Sequence, residues 1–162
     1  MKIRDWKLTR RASLAAAFVT AAGVTAIFAW AQDAPADPPA SQRASRFTYV
    51  DVYIDSGRSP LAAYQFELSV SKGEITIVGV EGGEHAAFAE PPYYDTAALQ
   101  SDRIIIAAFD TGDDLPSGQS RVARIHLMVS TLAPPAYRVE LTAAADSDGS
   151  RIDAKITLEE GE

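Results

Sequence analysis

The fold is decided by the stretch YVDVYIDSGRSPLAAYQFELSV, which runs from Tyr49 to Val70. Its first half alternates between apolar and polar positions, and its second half does the same. The positions that share the apolar side are Val50, Val52, Ile54, Tyr64, Phe66, Leu68 and Val70. Because successive side chains of a strand point to opposite faces, each half predicts a β-strand with one buried face. The DSGRSP between them consists of turn-forming residues and separates the two strands.

The same period-two pattern continues to the end of the chain. Five further strands are predicted in GEITIVGVEGG, DRIIIAAFD, SRVARIHLMV, YRVELTA and IDAKITL. A register change is expected near Gly79, and DRIIIAAFD is apolar on both faces, which predicts a central strand covered on both sides. Residues 85–100 are expected to add one or two short strands, or a helical turn at HAAFA. Many short strands with frequent turns predict an all-β fold, with two packed sheets forming a β-sandwich.

The first 45 residues differ in composition from the rest. MKIRDWKLTRR is basic, and the uncharged run that follows it ends in AWA at residues 29–31. This three-part pattern predicts an apolar signal helix at residues 1–31, cleaved after Ala31, with an uncleaved membrane anchor as the alternative. Residues 32–45 are rich in Pro and Ala and predict an extended linker before a domain at residues 46–162. The protein is therefore expected to be exported, by the Sec or the twin-arginine route, to the periplasm, the extracellular space or the cell surface.

The charge distribution limits the classes of partner. The formal net charge is −7, and five of the 15 Lys and Arg residues lie in the first 11 residues. The rest of the chain therefore carries 10 basic and 21 acidic residues. This acidic part of the chain repels nucleic acid and anionic membrane surfaces, which favours proteins, neutral glycans or cations as partners. Contact with a membrane is expected only through an uncleaved N-terminal segment.

No residue pattern indicates a catalyst or a cofactor. The sequence has no cysteine and contains no GxSxG, phosphate-loop or HExxH motif. His126 falls on the outward side of a strand beside Arg124, and His85 lies in EGGEHAAF without the spacing of a known metal site. Asp146 and Asp148, in DSDGS, resemble half of a calcium loop, with a plain Asp-Gly turn as the alternative. The chain is predicted not to be an enzyme, and structural calcium is the one cofactor considered.

Four tyrosines form the second group of candidate binding residues. Tyr49 and Tyr53 lie on the same side of the first strand, roughly 13–14 Å apart at the rise of a strand. Tyr93 and Tyr94 follow two prolines in a loop. Exposed tyrosines stack on sugar rings or anchor protein partners, so these four are candidates for carbohydrate stacking. The alternative is that some of them cover the edge of the core.

The order of the segments resembles the cohesin domain and related jelly-roll carbohydrate-binding modules. AAYQFEL resembles the 'gaqf'-like segment that follows the opening strand in that family. IIIAAFD followed by GQSRVARIHLMV resembles its later strands. DSDGSRI matches the loop before its last strand. The resemblance covers nearly all of residues 46–162 and implies a jelly-roll sandwich of about nine strands.

The resemblance also implies a function. Cohesins bind dockerin modules and assemble complexes that degrade polysaccharide, and relatives bind polysaccharide directly. We therefore expect an exported, non-catalytic module that binds a protein, such as a dockerin-bearing one, and is tied to polysaccharide binding or degradation. The residues expected to contact that partner are Arg124, His126, Asp113 and Asp114. The alternative function is a carbohydrate-binding module that stacks sugars on the four tyrosines.

Overall fold

The computed structural model describes residues 45–161, and these form an all-β domain. Eight strands run through this part of the chain: β1 (Arg46–Asp55), β2 (Ala63–Lys72), β3 (Ile75–Gly82), β4 (Tyr93–Tyr94), β5 (Arg103–Phe109), β6 (Gln119–Val129), β7 (Ala136–Ala145) and β8 (Lys155–Gly161). Two short 3-10 turns, Ala86–Phe88 and Thr96–Ala98, flank β4. The predicted signal or anchor helix and nearly all of the predicted linker lie outside the described residues.

The strands form two antiparallel sheets of four strands each. The first sheet has the order β3-β6-β1-β8, and the second has the order β4-β5-β2-β7. The predicted two-sheet sandwich is therefore confirmed, with eight strands in the described residues where about nine were expected. The region at residues 85–100 supplies both expected features, a strand of two residues and a helical turn within HAAFA.

The two strands of the quoted stretch belong to different sheets. β1 pairs with β6 and β8, whereas β2 pairs with β5 and β7. DSGRSP therefore forms a corner between the sheets. The Asp55 carboxylate accepts a hydrogen bond from the Gly57 N–H at 2.9 Å, and Gly57 has a φ of +62°, which glycine adopts without steric cost. Beyond the corner, buried Leu61 donates its N–H to the Pro116 carbonyl at 2.8 Å.

The core lies between the two sheets and consists mainly of the apolar positions that the alternation predicts. Val122 is an exception, because the alternation places it on the outward side with Arg124, whereas the register shift opposite Val52 and Tyr53 buries it. The core side chains are almost completely buried, so each contributes about 1.5–3 kcal/mol through the hydrophobic effect. The largest of them are Val50, Val52, Ile54, Leu61, Phe66, Leu68, Ile77, Ile104, Ile106, Val122, Ile125 and Leu127. The expected register change in β3 is present, because the pairing of β3 with β6 shifts between Ile77 and Gly79.

One expectation about β5 is wrong. Ile104 and Ile106 are buried as predicted, but Ile105 is 43% exposed and Phe109 is 62% exposed. The described residues place no further layer over this side of the second sheet, so only one face of β5 is covered. The apolar residues on its other face therefore form part of the surface.

Residues 45–161 contain no helix of the length and apolar character needed to span a membrane.

Candidate functional site

An apolar strip lies on the outer face of the second sheet, the face turned away from the core. We define it as Tyr93, Ile105 and Phe109. Tyr93 pairs with Ala107 across the two strands, which places its ring diagonally beside Phe109. The two rings stack with 5.9 Å between their centroids and 11° between their planes. Tyr93 is nevertheless 68% exposed, so the pair presents aromatic surface to solvent.

Polar side chains on the same face border the strip. Glu67 lies opposite Ile105 and accepts two hydrogen bonds of 2.7 Å from Arg103. The hydrogen bond from Arg103 lowers the pKa of Glu67. Between β2 and β7, on the side of β2 away from β5, the Gln65 side chain donates to the Thr142 hydroxyl at 3.1 Å. The face thus has an apolar part on β4 and β5 and a polar part on β2 and β7, an arrangement typical of protein-binding surfaces.

The outer face of the first sheet has a different character, because its charged groups pair with one another. Asp51 accepts hydrogen bonds of 2.7 and 2.8 Å from Arg124, and this pairing raises the pKa of Arg124. The Arg124 guanidinium lies 3.9 Å from the centroid of the Tyr49 ring, which adds a cation–π contact. Beside it, His126 Nε2 lies 2.9 Å from Glu81 Oε1. Asp51 is only 8% exposed within this network.

The predicted partner-binding residues fall in two separate places. Arg124 and His126 lie on the outer face of β6, as the alternation predicts, and each is bound to a carboxylate of its own chain. Asp113 and Asp114 are exposed in the loop between β5 and β6. Asp114 Oδ1 lies 3.8 Å from Nε2 of His85. Partner binding by these four residues stays a prediction.

The four predicted stacking tyrosines do not form one platform. Tyr49 and Tyr53 are half-buried on the first sheet, and the Tyr49 ring packs directly over the backbone of Gly161. Tyr94 points inward and packs against the core, whereas Tyr93 points outward from the second sheet. Only Tyr93 offers an exposed ring, and its stacking partner is Phe109 rather than another tyrosine.

The predicted calcium loop forms the turn between β7 and β8. Asp146 Oδ1 accepts hydrogen bonds from the backbone N–H groups of Asp148 at 3.1 Å and Ser150 at 2.9 Å. Gly149 completes the turn with a φ of +76°. Across residues 45–161, no group of three or more His, Asp or Glu side chains is arranged to hold a metal ion. Asp146 has a structural role in the turn, and calcium binding there stays a prediction.

Sequence reasoning missed Ile105 and Phe109 as candidate binding residues. The signal was present, because DRIIIAAFD is apolar on alternate positions of both faces. Such a strand fits either a doubly covered position or an exposed binding face, and the sequence alone does not distinguish the two. The topology does, because the second sheet has one covered and one open face among the described residues.

Comparison with solved structures shows which known fold this β-sandwich resembles. The fold is similar to that of a chain in the cohesin–dockerin complex of CaCohA2 with an Arg-to-Asp variant of CaDoc0917 at pH 5.5. The identity is 16% and the TM-score 0.53, over 67% of this chain and 82% of that one. It is also similar to the non-cellulosomal cohesin from the hyperthermophilic archaeon Archaeoglobus fulgidus, at 17% identity and a TM-score of 0.53, over 67% of this chain and 74% of that one. No protein-family model and no curated protein matches the sequence. The resemblance to the cohesin domain is therefore confirmed at the level of the fold.

Proposed function

We propose that this chain is a non-catalytic protein-binding module whose partner docks on the apolar strip. The single observation that carries the proposal is the exposed, stacked pair of Tyr93 and Phe109 beside Ile105. Aromatic side chains contribute strongly to protein interfaces because they bury large apolar areas with few rotatable bonds. A flat sheet face with such a strip and a polar border supports docking without a deep pocket.

The outer face of the first sheet is the weaker candidate for docking. Arg124 there is already held by Asp51 and covers the Tyr49 ring. A partner that recruited Arg124 would have to replace these contacts, and breaking a largely buried ion pair is costly. The apolar strip requires no such exchange, because burying its exposed rings is favourable by itself.

The finer parts of the proposal concern the partner and the compartment. We propose a dockerin-bearing partner, supported by the cohesin-like fold, by one similar structure that is a cohesin–dockerin complex, and by the matching order of segments in the sequence. Export is supported by the signal-like composition of residues 1–31. A link to polysaccharide degradation is supported only by the sequence resemblance to the cohesin family.

The test is affinity capture from an extract of the source organism with matched variants. Replacing both Tyr93 and Phe109 by Ser should abolish capture of a stoichiometric partner. The control is Val78→Ser, which removes an exposed apolar side chain from a strand of the first sheet and should leave capture unchanged. Equal capture by all three proteins would overturn the docking site. Hydrolytic turnover that a single Asp or Glu substitution abolishes would overturn the non-catalytic assignment.

A carbohydrate-binding module is the second candidate function, and the exposed Tyr93 ring is the observation that favours it. Retention on insoluble polysaccharide should then fall at least tenfold in Tyr93→Ala. Tyr49→Ala, which removes a half-buried ring from the other sheet, serves as the control. Unchanged retention in Tyr93→Ala would remove this candidate.

A further inference from the structure

Part of the β5 edge beside β4 has no partner strand. β5 has seven residues, but β4 has only two, and these pair with Ala107 and Ile106. The chain leaves the sheet directly after β4, because the Asp95 carboxylate accepts the Ala97 N–H at 2.9 Å and caps the following 3-10 turn. Among the described strands, none continues along the edge at residues 103–105.

The register of β5 shows which backbone groups face this edge. The Val70 N–H donates to the Asp102 carbonyl at 3.1 Å, and the Asp110 N–H donates to the Ala62 carbonyl at 2.8 Å. In an antiparallel pair, alternate residues direct both backbone groups to the neighbouring strand. The even-numbered residues of β5 therefore bond to β2, and the odd-numbered residues direct their N–H and C=O groups to the other edge.

Two of these odd-numbered residues already have partners. Ala107 pairs with Tyr93 of β4. The Ser101 hydroxyl accepts the Arg103 N–H at 3.3 Å, and its one proton is shared between the Arg103 carbonyl at 2.8 Å and the Ala98 carbonyl at 2.7 Å, so this side chain caps the edge. Ile105 lies between them, and no described strand pairs with its edge-facing N–H and C=O groups. Unpaired backbone groups on a strand edge are a template for another strand.

A surface groove of about 540 Å³ lies beside these groups. Its lining includes Ile105, Ala97 and the acidic residues Asp95 and Asp102. Arg103 also borders the groove, but Glu67 holds its guanidinium at 2.7 Å. The groove thus combines an apolar side chain, the edge-facing N–H and C=O groups of Ile105, and the negative charge of two acidic residues.

We propose that Ile105 pairs with an extended segment of a protein partner, which adds a short strand to the β5 edge in line with β4. An apolar residue of that segment lies opposite Ile105, and basic residues on either side face Asp95 and Asp102. This mode of recognition uses backbone hydrogen bonds for affinity and side chains for selectivity. The inference deepens the proposed function, since the edge adjoins the apolar strip and one partner can occupy both.

A synthetic peptide separates this inference from the proposed function. The probe is a capped six-residue peptide of alternating Lys and Val, titrated into the isotope-labelled chain and followed by NMR. Saturation should shift the Ile105 amide signal and slow its hydrogen exchange at least tenfold. The same peptide with N-methylated valines keeps the side chains but cannot pair with a strand, so its affinity should fall at least tenfold. A peptide with Glu in place of Lys should also bind at least fivefold more weakly.

Matched variants complete the test. Asp102→Asn should weaken binding of the Lys-Val peptide two- to fivefold, while Asp153→Asn, at an exposed position between β7 and β8, should not change it. Equal binding of the N-methylated peptide, shifts confined to other residues, or no binding at millimolar peptide would each overturn the inference. Loss of partner capture in the Tyr93 and Phe109 variant would still support the apolar strip in those cases, so the two proposals fail separately.

Discussion

At the scale of single residues, two similar ion pairs differ mainly in their exposure to solvent. Asp51 with Arg124 and Glu67 with Arg103 are both two-bond carboxylate–guanidinium pairs on neighbouring strands. The first pair is largely buried, and the second is open to solvent. Water and salt screen an exposed pair, whereas a buried pair that loses one partner leaves an uncompensated charge.

Replacing Asp51 by Asn should therefore destabilise the protein by about 2 kcal/mol, a value reduced from that of a fully buried pair because Arg124 remains partly exposed. Glu67→Gln is the matched control and should have a clearly smaller effect. Urea unfolding monitored by circular dichroism measures both. Equal losses in the two variants would contradict the distinction between the faces.

Two inward tyrosines provide a second comparison. The Tyr64 hydroxyl donates to the buried Val122 carbonyl at 2.9 Å, whereas the Tyr137 hydroxyl has no hydrogen-bond partner within residues 45–161. Tyr64→Phe should lower the free energy of unfolding by about 1–2 kcal/mol, because it leaves a buried carbonyl unpaired. Tyr137→Phe should be neutral or stabilising, because it removes a polar atom that is buried without a partner. A larger loss in Tyr137→Phe than in Tyr64→Phe would contradict these assignments.

Unfolding at alkaline pH tests the burial of Tyr64. Burial raises the pKa of Tyr64 above its ordinary value of 10.0. The folded state therefore favours the neutral phenol, so this contribution to stability is complete below pH 10 and is lost as the pH rises further. The free energy of unfolding should fall above pH 10, and Tyr64→Phe should make this fall shallower. An unchanged slope in the variant would show that other groups control alkaline unfolding.

At the scale of elements, the sequence predicts the strands and their buried faces well, but it predicts less well whether their outer faces are covered. The alternation around Val52 and Phe66 specifies buried faces, and the structure has those faces in the core. The two outer faces are harder to predict, because an apolar residue such as Ile105 fits either a covering layer or an exposed surface. Long-range pairing decides between the two, and no local pattern encodes that β5 lies beside so short a strand.

The glycines of β3 test packing at this scale. A Cβ atom on Gly82 would collide with the Ala89 carbonyl, which is backbone and cannot rotate away. Gly82→Ala should therefore cost about 3 kcal/mol through overpacking. Gly79→Ala is the control in the same strand, since the nearest atoms to its added Cβ are those of His126 at 4.0 Å. Thermal unfolding of the two variants measures the difference, and similar midpoints would contradict the predicted collision.

At the scale of the whole molecule, the two outer faces of the sandwich have different chemistry. One carries a charged network that is paired within the chain, centred on Asp51 and Arg124. The other carries the exposed apolar strip beside a partly open strand edge. The sequence predicted the all-β sandwich and the cohesin resemblance, and its assignment of partner binding to Arg124 and His126 stays a prediction. Their outward direction was predictable, whereas their bonds to Asp51 and Glu81 depend on pairing between distant strands.

Site-specific photo-crosslinking tests the central claim most directly. A benzoylphenylalanine in place of Tyr93 reports contacts of the apolar strip, and the same group in place of Val78 reports contacts of the first sheet. We expect illumination of the bound complex to join position 93 to the partner and to leave position 78 unjoined. Crosslinking from position 78 alone, or from neither position while the partner stays bound, would contradict binding through the apolar strip.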